Sequence, residues 1–238
     1  MTDFTEIWSY LAETPLLWLA ATLGAYVIGD ALHRRAGGTP LVNPVLVAVV
    51  ILAAALALTG TPYATYFEGA QFVHFMLGPA TVALAAPLHA NLAKVRKSAV
   101  PMAAGLLAGS GTAILSALGI AWALGVDAAT LAALAPKSAT APVAMGVSEA
   151  LGGSPTLTAV MVIFTGITGA ILAAPVLNAL RLRDWRARGF ATGVASHGIG
   201  TARAFQVDET AGVFAGVGMG LNAILTALLA PLVLALFV

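Results

Sequence analysis

From Ala99 to Leu124, from Leu157 to Leu180 and from Ala211 to Val238 the chain carries no charged residue at all. A bilayer core takes about 20 apolar residues to cross as helix. Inside it the backbone finds no water, so only helices or closed barrels span. Runs of this length set the class: an all-α polytopic membrane protein. Pro15–Leu32, Val42–Leu58 and Phe72–Leu92 are three further candidate spans. The composition agrees, with 60% hydrophobic and 9% charged residues in 238, against roughly 25% charged in soluble domains. The absence of cysteine excludes disulfides and thiolate metal sites. The first ten residues, MTDFTEIWSY, are acidic where a signal peptide is basic, so this end is expected to be retained. The longest polar run, Arg181 to Gly189, is only a loop, so residues 1–238 read as a single membrane domain.

Two apolar stretches are interrupted. The first, Leu131–Gly153, holds Lys137 between Pro136 and Pro142, with Ser138 and Thr140 filling the gap. Proline removes a backbone donor and disfavours helix in the residue before it. Within hydrocarbon such backbone is tolerated only where protein buries it or it lines a wet cavity, and an intramembrane lysine marks a functional site. Two half-helices meeting at a polar break are expected here. The second, Phe190–Phe205, contains Ala195-Ser196-His197-Gly198-Ile199-Gly200-Thr201-Ala202-Arg203. Gly198 and Gly200 permit irregular backbone and close approach of a ligand. Ser196, His197, Thr201 and Arg203 supply donors, Arg203 in the fork geometry that grips a carboxylate. A half-helix starting near Gly200 would add the positive end of its dipole.

Charge placement gives a topology. Basic residues cluster at His33-Arg34-Arg35, Lys94–Lys97 and Arg181–Arg188, while Glu6, Glu13, Glu68 and Asp127 mark the other loops. The positive-inside rule puts the basic loops in the cytoplasm and the N-terminus outside. Two spans separate Arg35 from Lys94, but three candidates separate Lys97 from Arg181. One of those three must enter and leave on the same face, and the Lys137 stretch is expected to be that re-entrant hairpin. There is also an internal echo. Ala113-Ile114-Leu115-Ser116-Ala117-Leu118 returns as Ala223-Ile224-Leu225-Thr226-Ala227-Leu228, each copy after a small-xxx-small pair, Gly105 with Gly109 and Gly216 with Gly220. At the same offset Val42–Leu58 falls near Leu157–Leu180, and Phe72–Leu92 near Phe190–Phe205, in opposite directions by the charge topology. Repeats over about residues 15–124 and 128–238 follow, and with them an inverted-repeat, transporter-like bundle with two broken or re-entrant segments.

Each polar residue also has a plain structural reading. Lys137 can pair with Glu149, Arg203 with Asp208 or Glu209, and Asp30 with Arg34. Ser138 and Thr140 can satisfy freed backbone groups, and Ser196 can serve as a cap. Asn43 either caps the span that Pro44 opens or contacts the core. Gly78-Pro79 and Pro87-Leu88-His89 bracket a segment that can kink across the other break, and His89 reads as interfacial. The four repeated glycines are expected to pack helices closely. No HExxH, GxSxG or P-loop is present, so an enzyme is not expected.

Pro40-Leu41-Val42-Asn43-Pro44, Pro136-Lys137-Ser138-Ala139-Thr140-Ala141-Pro142 and Ala195–Arg203 resemble the three signature blocks of the LrgB/CidB family, over nearly the whole chain. Ala139 and Ala141 stand where relatives often carry Val and Thr. The resemblance implies a multi-pass protein of the bacterial inner membrane. Members are described as antiholin- or holin-like regulators of murein hydrolase activity and autolysis, working with a small LrgA/CidA-type membrane protein. Plant relatives act as plastidial glycolate/glycerate translocators, and bacterial members are linked to pyruvate or similar acids. Two functions follow. One is secondary transport of a small monocarboxylate such as glycolate, glycerate or pyruvate, bound by Lys137, Ser138, Thr140, Ser196, His197, Gly198, Gly200, Thr201, Arg203 and Asn43. The other is a holin-like pore or hydrolase regulator. No cofactor or metal is expected, only H+ or Na+ as coupling ion. The expected partners are the lipid bilayer, the LrgA/CidA-type protein and further copies of the chain, a dimer foremost, with no nucleic acid.

Overall fold

The computed structural model describes residues 15–39, 41–76 and 92–238, together with Pro79 and His89. Its contacts divide the chain into two units, Met1–Ala83 and Leu84–Val238.

In the first unit α1 (Pro15–Arg35) packs against both α2 (Pro44–Thr59) and α3 (Tyr63–Phe75). Two glycines on these helices allow the approach. A Cβ on Gly29 would come within 2.5 Å of the Pro44 carbonyl, and one on Gly69 within 2.1 Å of the Pro15 carbonyl. Trp18, 2% exposed, fills the space between α1 and α3 edge-on to Tyr66, ring centres 5.7 Å apart. Helix α3 was not expected. Glu68 reads as a loop marker in sequence, yet it lies within this helix, where the apolar body of Tyr66 and Phe67 beside it outweighs one exposed carboxylate. Asp30 and Arg34 form the expected surface pair. The acidic N-terminal stretch, most of the Phe72–Leu92 span, Gly78 and Pro87 lie outside the described residues.

The second unit holds α4 (Leu92–Lys97), α5 (Ala99–Ala123), α6 (Ala128–Leu134), α7 (Ala141–Ala150), α8 (Pro155–Ala179), α9 (Trp185–Val207) and α10 (Glu209–Leu234). Helices α5, α8 and α10, like α1 in the first unit, are long and apolar enough to cross a membrane. Five of the six expected spans are helices within a few residues of their read boundaries, and the sixth, Phe72–Leu92, lies mostly outside the described residues.

Between α5 and α8 the chain makes a hairpin. Asp127 caps α6 by accepting from the Thr130 amide at 3.0 Å. Helix α6 gives way at Ala135–Thr140, where Pro136 and Pro142 prevent its continuation, and α7 returns. The return is fixed by contacts. Gly153, just past α7, lies so near α6 that a Cβ there would be 2.6 Å from the Ala133 amide nitrogen. On α8, Thr158 Oγ1 donates to the Ala133 carbonyl at 2.9 Å, and Val162 packs on Ala139 and Ala144. Residues 133–139 thus run alongside α8, and α7 runs back against it. The expected re-entrant hairpin is present.

Helix α9 is a second one. His197 breaks it with φ 42° and ψ −135°, and the two limbs fold onto each other. A Cβ on Gly200 would meet Ser196 Cβ at 2.5 Å and the Thr192 carbonyl at 3.1 Å, which a continuous helix forbids because residues 192 and 200 would be about 12 Å apart along its axis. The first limb lies parallel to α10, with Gly189 on the backbone of Ala211 and Gly193 on that of Ala215. The second limb runs antiparallel to α10 and brings Ala204 back to Ala211 and Ala215. The break expected within Ala195–Arg203 is present and sits at His197, one residue before Gly198. Both glycines are helical; Gly200 serves close packing and Gly198 is exposed.

These contacts order the unit along the membrane normal. Gly105 and Gly109 of α5 face Phe190 and Val194 in the first limb of α9, and Ile114 and Leu118 pack with Leu131 of α6 and Ala230 and Leu234 of α10. Helices α5 and α10 therefore run in the same direction and α8 in the opposite one. The Ala113–Leu118 echo at Ala223–Leu228 falls on this parallel pair. A different pair is inverted: the α6–α7 hairpin followed by α8, and the α9 hairpin followed by α10. The α9 hairpin enters from the face of Lys97 and Asp184–Arg186, and the α6–α7 hairpin from the face of Asp127 and Gly152. The two basic loops of this unit thus share a face, as their charge requires.

Candidate functional site

The two hairpin tips meet at one level of the bundle. On α8, the Val162 side chain packs on Ala139 of the first tip, and its carbonyl accepts from His197 Nε2 of the second at 2.8 Å. A carbonyl only accepts, so Nε2 carries the proton, and in the neutral ring Nδ1 is left as an acceptor. On α10, Asn222 Nδ2 donates to the Ser138 carbonyl at 2.9 Å. One turn earlier Met219 touches the second tip through Thr201, Oγ1 to sulfur 3.9 Å.

The second tip fits because α8 offers no side chain there. A Cβ on Gly169 would fall 1.7 Å from Ser196 Oγ, and one on Gly166 2.6 Å from His197 Cε1. A positive φ at a non-glycine residue costs of the order of 1–3 kcal/mol and persists only where its surroundings hold it. Here the glycine slot and the bond to Val162 do so. Thr201 adds to this, its hydroxyl donating to the His197 carbonyl at 2.8 Å. Ser196 is fully buried and its Oγ has no partner.

At the first tip Lys137 is half-buried, with Nζ 3.4 Å from Ser138 Oγ. The alternative pairing with Glu149 is not made; Glu149 is exposed at the far end of α7. Thr140 stands at the N-cap position of α7 without making a cap bond. Three residues that the sequence reading passed over complete the polar core: Ser110 Oγ donates to Asn222 Oδ1 at 2.5 Å, and Thr226 Oγ1 to the same oxygen at 3.3 Å. Ser110, Asn222 and Thr226 are each 1% exposed. An amide in the middle of a charge-free span was the available signal, because burying it unbonded costs several kcal/mol in hydrocarbon.

Lys137, Ser138, Ser196, His197 and Thr201 thus come together, with Thr140 and Gly200 one turn away. One expected residue of this unit does not join them. Arg203 lies nearly two turns beyond the tip, about 9 Å of helix rise, beside Trp185 and Arg188 at the basic face. It pairs with neither Asp208 nor Glu209; its Nη1 donates to Gln206 at 3.2 Å. Asn43 belongs to the first unit, where its side chain accepts from the Val45 and Leu46 amides at 2.9 and 3.2 Å and so caps α2.

A cavity of about 550 Å³ leads from the basic face toward the tips. Lys97, Asp184 and Arg186 stand at its mouth, Phe190 and Val194 line its wall, and Ala113 and Ala195 mark its depth. Among the described residues no cluster of His, Asp or Glu has the grouping a metal ion needs.

The model of the LrgB-like family matches residues 22–236. A Bacillus subtilis protein named Uncharacterized protein YxaC is 36% identical over 222 residues, 93% of this chain and 96% of that one. Proteins named Holin-like protein CidB are 31% identical in Staphylococcus epidermidis and 32% in Staphylococcus aureus, over the same shares of each chain. No solved structure matches this chain. With the family model covering nearly the whole length and relatives aligned end to end, the chain belongs to the LrgB-like family.

Proposed function

We propose that this membrane protein carries a small organic anion, a monocarboxylate of the glycolate, glycerate or pyruvate kind, across the bacterial inner membrane. One observation carries the reading: two hairpins from opposite faces end against the same residue, Val162, with a lysine on one tip and a strained histidine on the other. Helices that stop at mid-membrane give a water-free place where irregular backbone and polar side chains meet a ligand, as in secondary transporters. Lys137 supplies the charge a carboxylate needs. Ser138, Thr140 and the unpartnered Ser196 hydroxyl supply donors to the carboxylate. The open Nδ1 of His197 accepts from the hydroxyl of a hydroxy acid, or donates once the ring is protonated. The cavity from the basic face is the cytoplasmic approach, with the N-terminus outside. Alternating access then requires the hairpins to move against α5, α8 and α10. H+ is the favoured coupling ion, with His197 as its carrier, and Na+ the other candidate.

A second reading rests on the names of the relatives, which favour it over carriage. Proteins called holin-like suggest a membrane component that regulates wall hydrolases, alone or with a small LrgA/CidA-type protein, as a dimer or larger assembly. In that case the tips form a gate or a partner surface. Counterflow of labelled glycolate, glycerate and pyruvate in proteoliposomes separates the two. A carrier gives saturable, self-competing uptake that Lys137→Met abolishes; a pore gives non-saturable leak without choice among acids.

A further inference from the structure

The arginine that stands apart from the tips lines a cleft of its own. Arg203 on the second limb of the α9 hairpin and Arg188 on the first line one cleft with Trp185, Thr192, Leu177 and Ala170, at the basic face. Arg188 is held in place: Nη1 donates to Asn178 Oδ1 at 2.9 Å and to the Leu182 carbonyl at 2.7 Å, and its guanidinium stacks 4.9 Å from the Trp185 ring centre. Arg203 is half-buried, spends one nitrogen on Gln206, and its Nε is buried with no partner. Neither arginine is in an ion pair with a described carboxylate. Of the acids close by in sequence, Asp184 pairs with Arg186, Asp208 accepts from the Ala211 amide at 3.0 Å, and Glu209 is exposed and in no ion pair with either arginine. Two guanidiniums in a cleft walled mostly by apolar residues, with no described carboxylate among its lining, leave a positive field without its counter-charge. The cleft holds about 40 Å³, room for the head of a small anion.

We infer that Arg188 and Arg203 form a second anion site, for a carboxylate or phosphate head, at the cytoplasmic base of the α9 hairpin and separate from the tip site. This rests on the carrier reading for its role, which is to gather the anion before it reaches the tips. Oxyanion recognition by paired guanidiniums suits a free acid, inorganic phosphate or a lipid phosphate alike, so the test distinguishes them.

Trp185 is the reporter. Purified full-length protein in detergent is titrated with glycolate, with inorganic phosphate, and with mixed micelles of phosphatidylglycerol; the signal is the emission change that Trp185→Phe removes. Glycolate should give a saturable change whose midpoint rises at least tenfold in Arg203→Gln. Arg203→Lys, which keeps charge and stem, should raise it severalfold and serves if Arg203→Gln does not fold. Lys137→Met should leave the midpoint within twofold while flux is lost. An unchanged midpoint in both Arg203 variants, or an equal shift in Lys137→Met, overturns the separate site. A response to phosphatidylglycerol alone overturns it as a site for soluble anions. Flux without a Trp185 response sinks only this site, whereas a response without saturable flux leaves it standing and sinks the carrier reading.

Discussion

His197 donates from Nε2 to the Val162 carbonyl at 2.8 Å and so ties the tip of one re-entrant hairpin to the residue against which the other hairpin packs. The ring can make this bond only because its own backbone is left-handed and α8 presents Gly166 beneath it. Asparagine tolerates positive φ better than most residues. His197→Asn should therefore keep the fold, with a loss of about 1–2 kcal/mol for the missing bond, whereas the β-branched His197→Val should add backbone strain to that loss. Thermal unfolding in detergent ranks the two; equal midpoints would show that the backbone at 197 is not held in this geometry.

Of the repeated glycines, Gly105 and Gly109 face a neighbouring helix and Gly220 does not, while the tightest contact of α9 with α10 lies at Gly189 and Gly193. A Cβ at Gly193 would stand 2.0 Å from the Ala215 carbonyl, and Gly109 is tight at 3.2 Å from Val194, but Gly220 has nothing within 4 Å. Gly193→Ala should cost about 1–3 kcal/mol through forced backbone separation, and Gly220→Ala almost nothing. Folded yield and melting temperature measure the contrast. The expectation that Gly220 packs closely came from spacing alone, and small-xxx-small spacing does not tell which helix face has a neighbour.

Asn222 is the hub of the buried polar core. Asn222→Leu leaves the Ser138 carbonyl and the Ser110 hydroxyl unbonded, each worth about 1–3 kcal/mol, and releases the first tip from α10. Hydrogen exchange should show Ala135–Thr140 opening in this variant while α10 stays protected. Protection of the tip at the wild-type level would mean that α8 alone holds it.

Much of this arrangement was legible in the sequence, for reasons that can be named. Prolines 136 and 142 around Lys137 announce a break, and the basic residues at Lys97 and Arg181–Arg188 force an even number of crossings between them. Both follow from backbone chemistry and charge, which act locally. The reversal at His197 was half legible. Gly198 and Gly200 signalled irregular backbone, yet the turn was taken by the residue before them because the α8 glycine slot needs a side chain there. The inverted pairing of the two hairpin-plus-helix segments was hidden, because alanine and leucine repeat too freely for a match such as Ala113–Leu118 with Ala223–Leu228 to reveal direction. The separation of Arg203 from Lys137 was hidden too, since it depends on which way each hairpin enters.

Cysteines placed singly at Asp127 and at Ser154, the exposed residue just past the crowded Gly153, should be modified from the same face, and one at Arg183 from the other. The chain lacks cysteine, so a membrane-impermeant maleimide reports each directly. Opposite labelling of Asp127 and Ser154 would require the Lys137 segment to cross and would dissolve the opposed-hairpin arrangement.

Acid should loosen the entry of the first hairpin. The side-chain hydroxyl of Thr130, and then its amide, hold the Asp127 carboxyl below the usual carboxylate range. A depressed folded-state value means that the cap's contribution is complete above that range and is lost as pH falls through the lowered value. Amide exchange at Ala128–Leu131 should rise as the carboxyl protonates, and Asp127→Asn should remove that dependence. Exchange indifferent to pH in the wild type would contradict the cap.

The most direct measurement is uptake of labelled glycolate, glycerate and pyruvate by proteoliposomes holding wild type or Lys137→Met. At least one acid should enter saturably and be exchanged by its unlabelled form. The loss of one charge-assisted bond, about 1.5–3 kcal/mol, should raise the half-saturation of Lys137→Met roughly ten- to a hundredfold or remove uptake altogether. Monodisperse Lys137→Met that carries the acid like wild type, or wild type that shows only non-saturable leak, would contradict an anion site at the meeting of the two hairpin tips.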